Sequence, residues 1–128
     1  MIMEQHKEQK GRVRFFRGAF LIFAWLFVAC IIVQTFIAGM ALFSDSSAWK
    51  MHATFVHLFE YLPVLMLICS FAGQVPVRLR WLSGALFVLI FAQYFTANVP
   101  GAGAVHPVLA LLMFWLSIYV ARKGGTSQ

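Results

Sequence analysis

Four apolar runs, each close to the length that crosses a bilayer, constrain this 128-residue chain more than any other feature. They cover residues 18–43, 49–72, 79–98 and 105–121. A hydrocarbon core of about 30 Å takes roughly 20 apolar residues as a helix, and inside it every backbone N–H and C=O must be satisfied within the segment. The separators are short. Ser44-Asp45-Ser46-Ser47 is a helix-stop and N-cap cluster, Gly73-Gln74-Val75-Pro76 ends the second run, and Val99-Pro100-Gly101-Ala102-Gly103 ends the third. Connections this short make consecutive helices antiparallel neighbours. The expected fold is all-α, an integral membrane antiparallel four-helix bundle. A composition of 62% hydrophobic and 11% charged residues excludes an ordinary soluble domain and a disordered chain.

Basic residues set the orientation. Lys7, Lys10, Arg12, Arg14 and Arg17 precede span 1, Arg78 and Arg80 lie between spans 2 and 3, and Arg122 and Lys123 follow span 4. All nine fall on one side of a four-span arrangement, against Lys50 on the other. The positive-inside rule then places both termini in the cytoplasm, and the cell membrane, a bacterial cytoplasmic membrane, is the expected location. Residues 1–17 form a basic cytoplasmic segment that includes His6, residues 18–122 the transmembrane domain, and residues 123–128 a cytoplasmic tail. The first apolar run is too long for the h-region of a cleaved signal and is expected to be retained. The net charge of +6 is a topology signal and a contact for anionic membrane lipids. No aromatic-basic module accompanies it, so nucleic acid is not an expected partner.

With so few charges, the polar residues within the spans stand out. They are His52, His57 and Glu60 on span 2, His106 at the start of span 4, and the amides Gln34 on span 1 and Gln93 on span 3. Ionisable groups inside a membrane are costly and mark function. His57 stands 17 residues before Gln74 and His106 stands 16 residues before Arg122, which sets both imidazoles at matched depth when counted from the cytoplasmic ends. His52 lies about 7.5 Å further out. Spans 2 and 4 are diagonal in a four-helix bundle, so inward-facing residues on them meet across its core.

Two neutral imidazoles at one depth suit the axial ligation of a haem, haem b, in a bundle core. The expected iron ligands are His57 and His106, with His52 as the alternative to His57. Gln34, Gln93 and Glu60 complete the candidate cofactor site. At 100° per residue His52 and His57 are 140° apart with Glu60 between them, which allows all three to face the interior or its edge. Glu60 is expected to be protonated, or hydrogen-bonded to Gln34, Gln93 or Tyr61. Pro63 deprives the Phe59 carbonyl of its helical partner, so span 2 is expected to bend there. Gln34 to Ala38 matches Gln93 to Ala97 at Gln, Phe and Ala, a faint repeat that makes spans 1–2 and 3–4 two copies about an axis along the membrane normal. Cys30 and Cys69 differ in depth and are expected to pack rather than pair, as are Met66 and Met113.

The segment from Gln34 through Ala121 resembles a group of small bacterial four-helix membrane proteins of uncharacterised function. Gln34…Ala38-Gly39, Trp49-Lys50-Met51-His52…His57 and His106-Pro107 carry the likeness. The arrangement is also similar to one half of heme A synthase, which implies haem b between His57 or His52 and His106, but not the synthase activity. In that family a carboxylate precedes the histidine and an Arg follows it, whereas here Glu60 follows His57 and Leu58 takes the next position. A homodimer would supply the missing second half. The expected function is electron relay, to or from quinone or another redox partner, or haem sensing or carriage. Two rival classes are a small proton or cation transporter or channel subunit using Glu60 and the histidines, and a non-catalytic accessory subunit. No soluble-enzyme signature is present, and independent catalysis is not expected; any activity would be that of a membrane oxidoreductase.

Overall fold

The computed structural model describes residues 1–126 and contains five helices and no strands among them. These are α1 (Ile2–Phe43), α2 (Ala48–Phe59), α3 (Leu62–Ala72), α4 (Val77–Asn98) and α5 (Val105–Thr126). Four spans of sufficient length and apolarity to cross a membrane result, the second made of α2 and α3 together. The protein is thus an all-helical, multi-pass bundle. Its described chain termini and the 73–76 connection share one end, which carries nine of the ten Lys and Arg residues and is called the basic end below.

Several boundaries shift. The basic N-terminal segment is not a separate element: α1 runs unbroken from Ile2 because residues 2–17 contain good helix formers and no proline. The last span likewise continues through Arg122 and Lys123 to Thr126, so the expected tail is helical over its described part, and residues 127–128 lie outside the described residues. Span 2 breaks where Pro63 requires. α2 ends at Phe59, Glu60 and Tyr61 form a turn, and α3 restarts with Pro63 in its first turn, where a missing N–H costs nothing.

Helix α1 packs on α2, α3 and α5, and α4 packs on α3 and α5. Spans 2 and 4 are therefore diagonal, as a square of antiparallel neighbours demands. The half nearest the basic end holds the dense core: Phe20, Ala24 and Phe27 of α1, Met66 of α3, Leu86 of α4, and Val120 and Ala121 of α5. Ser70, Ser83 and Ser117 are fully buried among them. Each hydroxyl donates to a carbonyl of its own helix, Leu67, Leu79 and Phe114 respectively, so these small side chains let the helices approach without leaving a polar group open. Cys30 and Cys69 are free thiols in this packing.

The connection between the two halves is clamped to α1. Arg17 donates from Nε to the Gly73 carbonyl at 3.1 Å and from Nη2 to the Gln74 carbonyl at 3.0 Å. Gly73 lies so close that a Cβ there would sit 2.7 Å from the Arg17 backbone nitrogen. Only glycine fits. At the opposite end the packing is sparser. Ile37, Ala41 and Ala48 form a small separate cluster, and Asp45 Oδ1 accepts the Ser47 N–H at 2.9 Å, which holds its carboxyl below the ordinary carboxylate range.

Candidate cofactor site

The polar residues singled out above gather in the sparser half of the bundle, but in two groups rather than one. His52, Phe55 and Phe59 share one face of α2, at i, i+3 and i+7, and that face turns inward. Phe59 packs on Phe55 and on the buried Phe27 of α1, which gives the site an aromatic floor. A histidine 140° away around the same helix cannot share this face. His57 accordingly points out of the bundle, with 62% of its side chain exposed.

His52, not His57, is set beside His106. Their ring centroids are 6.4 Å apart and the planes cross at 63°. Counting from the outer ends of the spans shows why: His52 is four residues into α2 and His106 one residue into α5, a difference of about 4.5 Å in rise. Counting from the basic end misleads because α5 passes through Arg122 and span 2 is broken at Glu60 and Tyr61. The start of each span was the better ruler.

Each imidazole is held by the glutamine of the preceding span. His52 Nδ1 lies 3.1 Å from the Gln34 carbonyl oxygen, and the Gln34 side chain returns a bond from Nε2 to the His52 carbonyl at 2.9 Å. A carbonyl only accepts, so Nδ1 of His52 carries a proton and Nε2 holds the lone pair. In the second half His106 Nδ1 lies 3.1 Å from the Gln93 carbonyl oxygen and 3.1 Å from Thr96 Oγ1. With its amide turned so that each end meets its complement, Gln93 donates from Nε2 to the His106 carbonyl at 3.1 Å and accepts at Oε1 from the Ala110 N–H at 2.8 Å. The same nitrogen is 2.8 Å from His106 Nδ1, so His106 has a choice that His52 lacks. Its Nδ1 either accepts from the Gln93 amide or, with that amide turned away, donates to the Gln93 carbonyl and frees Nε2. The faint repeat is thus a real structural correspondence. Both glutamines form reciprocal clamps on the histidine of the next span.

One polar atom in this group is left over. Gln34 Oε1 is buried and has no hydrogen-bond partner among the described residues. Trp49 closes the site toward the outer end, its ring edge-on to His52 at 5.6 Å.

The second group joins spans 2 and 3. Tyr94 donates its hydroxyl to Glu60 Oε2 in a short hydrogen bond, and its Oη lies 3.1 Å from His57 Nδ1. The His57 and Tyr94 rings stack at 5.8 Å with planes 24° apart. Glu60, with 19% of its side chain exposed, sits at the edge of the bundle, where its first hydroxyl partner is Tyr94, the expected Tyr61 also interacts with it, and neither glutamine does. Tyr94 is the residue the sequence reading missed. Its signal was the repeat itself, since Tyr94 follows Gln93 where Thr35 follows Gln34.

The donor set fits a metal that brings its own equatorial ligands. Among the described residues no three His, Cys, Asp or Glu side chains converge, so no all-protein cation cage is built. His52 and His106, whose ring centroids lie 6.4 Å apart, are the residues that would hold a metal with its own equatorial ligands. Nδ1 of His52 is occupied by its backbone clamp, which is how ligating histidines are oriented, and Nδ1 of His106 is so occupied when the Gln93 amide is turned away from it.

Fold and site together define a small four-span helical membrane protein with paired histidines on diagonal spans. Residues 34–99, just over half of the chain, match a family of unknown function (DUF6220), and the chain belongs to it. That stretch includes Gln34, His52, His57, Glu60, Gln93 and Tyr94. No curated protein and no solved structure matches the chain, and the comparisons give no support to the expected likeness to half of heme A synthase.

Proposed function

We propose that this protein binds haem b with His52 and His106 as the axial ligands and serves electron relay in the membrane, or haem sensing or carriage. The observation that carries the reading is the pair of glutamine-carbonyl contacts on Nδ1 of His52 and of His106, whose ring centroids lie 6.4 Å apart on diagonal spans. Haem, when bound, supplies a one-electron couple that no side chain here provides. The chain's own part is to fix the ring orientation through Gln34 and Gln93, to present Nε2 of His52 and, with the Gln93 amide turned away from Nδ1, Nε2 of His106, and to keep the site dry over Phe27, Phe55 and Phe59.

The test is an absorption spectrum of the protein purified in detergent from haem-replete cells. A Soret band is expected, lost in His52→Ala and in His106→Ala and kept in His57→Ala. Protein that is colourless and gains no Soret band on adding hemin would overturn the proposal. Loss of the band in His57→Ala with retention in His52→Ala would return the ligand to His57.

A further inference from the structure

The His57–Tyr94–Glu60 group lies outside the paired-histidine site and has its own logic. His57 is nine residues into α2 and Glu60 immediately follows its end, which puts them about 14 and 18 Å below the outer end of the span, near the middle of the bilayer. A polar network that only tied two helices together would be turned inward, because ionisable groups facing hydrocarbon are costly. This one is turned outward. His57 is its most exposed member, and Tyr61, one turn further along span 2, and Phe91, one turn before Tyr94, are exposed aromatic rings on the same approach.

The protons are ordered by donor and acceptor capacity. Tyr94 has one hydroxyl proton and gives it to Glu60. Its oxygen then accepts from His57 Nδ1–H, which leaves His57 Nε2 as a lone pair facing out of the bundle. A proton taken up at Nε2 moves Nδ1–H onto Tyr94 Oη and the Tyr94 proton onto Glu60, so the Nε2–H and the carboxyl O–H form as the external O–H and the Nδ1–H break, and the Tyr94 O–H is broken and remade. The line of groups is a relay whose entrance faces the bilayer.

We propose that this relay is the binding and proton-exchange site for the head of a membrane-soluble hydroquinone. The ligand must arrive from within the lipid, carry a hydroxyl proton for His57 Nε2, and be flat enough to lie along the stacked His57 and Tyr94 rings; a hydroquinone meets all three requirements. A metal ion would find one imidazole and one carboxylate, and no third His, Cys, Asp or Glu among the described residues. Oxidation of a hydroquinone releases two protons and two electrons. The relay takes the first hydroxyl proton as the first electron leaves to a one-electron acceptor, and once Glu60 has passed that proton to bulk water and the relay protons have returned to their starting atoms, a second such cycle yields the quinone. With the haem of the proposed function as that acceptor, the inference rests on that reading for its electrons, but not for its binding site.

Binding is tested in nanodiscs by titrating the full chain with decylubiquinone and following quenching of tryptophan fluorescence. Saturable quenching is expected, with affinity about tenfold weaker in Tyr94→Phe, His57→Ala and Glu60→Gln and within about twofold of wild type in His52→Ala. Photolabelling with an azidoquinone should mark peptides spanning residues 57–61 and 91–95. Quenching that rises linearly without saturation, equal affinity in Tyr94→Phe, or labelling confined to other spans overturns the site. Tyr94→Phe keeps the ring, and the labelling uses the wild-type chain, so both decide the matter even where His57→Ala fails to fold. Absence of haem with intact quinone binding would sink the electron relay and leave this site standing.

Discussion

The two halves of the bundle hold their histidines in the same way and differ in what surrounds the hold. In spans 3 and 4 the Gln93 amide is satisfied at both ends, by the His106 carbonyl and the Ala110 N–H, and Thr96 adds a hydroxyl beside the ring. In spans 1 and 2 the Gln34 amide donates to His52 but its oxygen has no hydrogen-bond partner among the described residues, and the residue matching Thr96 is Ile37. The first half also carries what the second lacks: a proline break in its histidine span, and His57 and Glu60 beside that break. The difference separates framework from elaboration. The clamp common to both halves positions a ring, and the unmatched groups of the first half are those with open valences.

The comparison breaks most severely at the junction between the halves. Gly73→Val places a side chain against the Arg17 backbone where even a Cβ is too close, and should cost about 3 kcal/mol in a detergent-unfolding titration, at the upper end of overpacking penalties. A cost near zero would mean that the halves do not dock as described. Next come the clamps themselves. Gln93→Leu removes two bonds and should cost about 2 kcal/mol, whereas Gln34→Leu removes one bond and an unpaired acceptor and should cost about 1 kcal/mol or less. Equal costs would show that Gln34 Oε1 has a partner in the native membrane. The smallest effect is expected from Thr96→Ile, which gives the second half the first half's residue. His106 keeps the Gln93 carbonyl, so stability should change by less than about 1 kcal/mol, with the shift read instead in the His106 ring resonances by NMR.

The spans and their antiparallel order were legible because apolar length and short polar breaks are properties of consecutive residues. The Pro63 break was legible for the same reason, since a missing N–H acts on its own helix. Pairing across the bundle was not. Whether His52 or His57 meets His106 turns on a register difference of a few residues and on which face of α2 packs inward, and that face is chosen by Phe55 and Phe59 against Phe27. The partner of Glu60 was hidden differently. Tyr94 looked like one aromatic among many in an apolar span, and only the docking of α4 on span 2 gives its hydroxyl a role.

The unbroken run of α1 has a mechanical consequence. At 42 residues the helix is about 63 Å long, roughly twice the thickness of the hydrocarbon it crosses. Arg17 is pinned to the 73–74 backbone, so the 15 helical residues before it form a stiff mast of about 23 Å. Lys7, Lys10, Arg12 and Arg14 stand along it at set heights above the bundle. Gln34, with the imidazole it holds, stands 17 residues beyond Arg17 on the same unbroken helix, about 26 Å along it on the other side of the clamp.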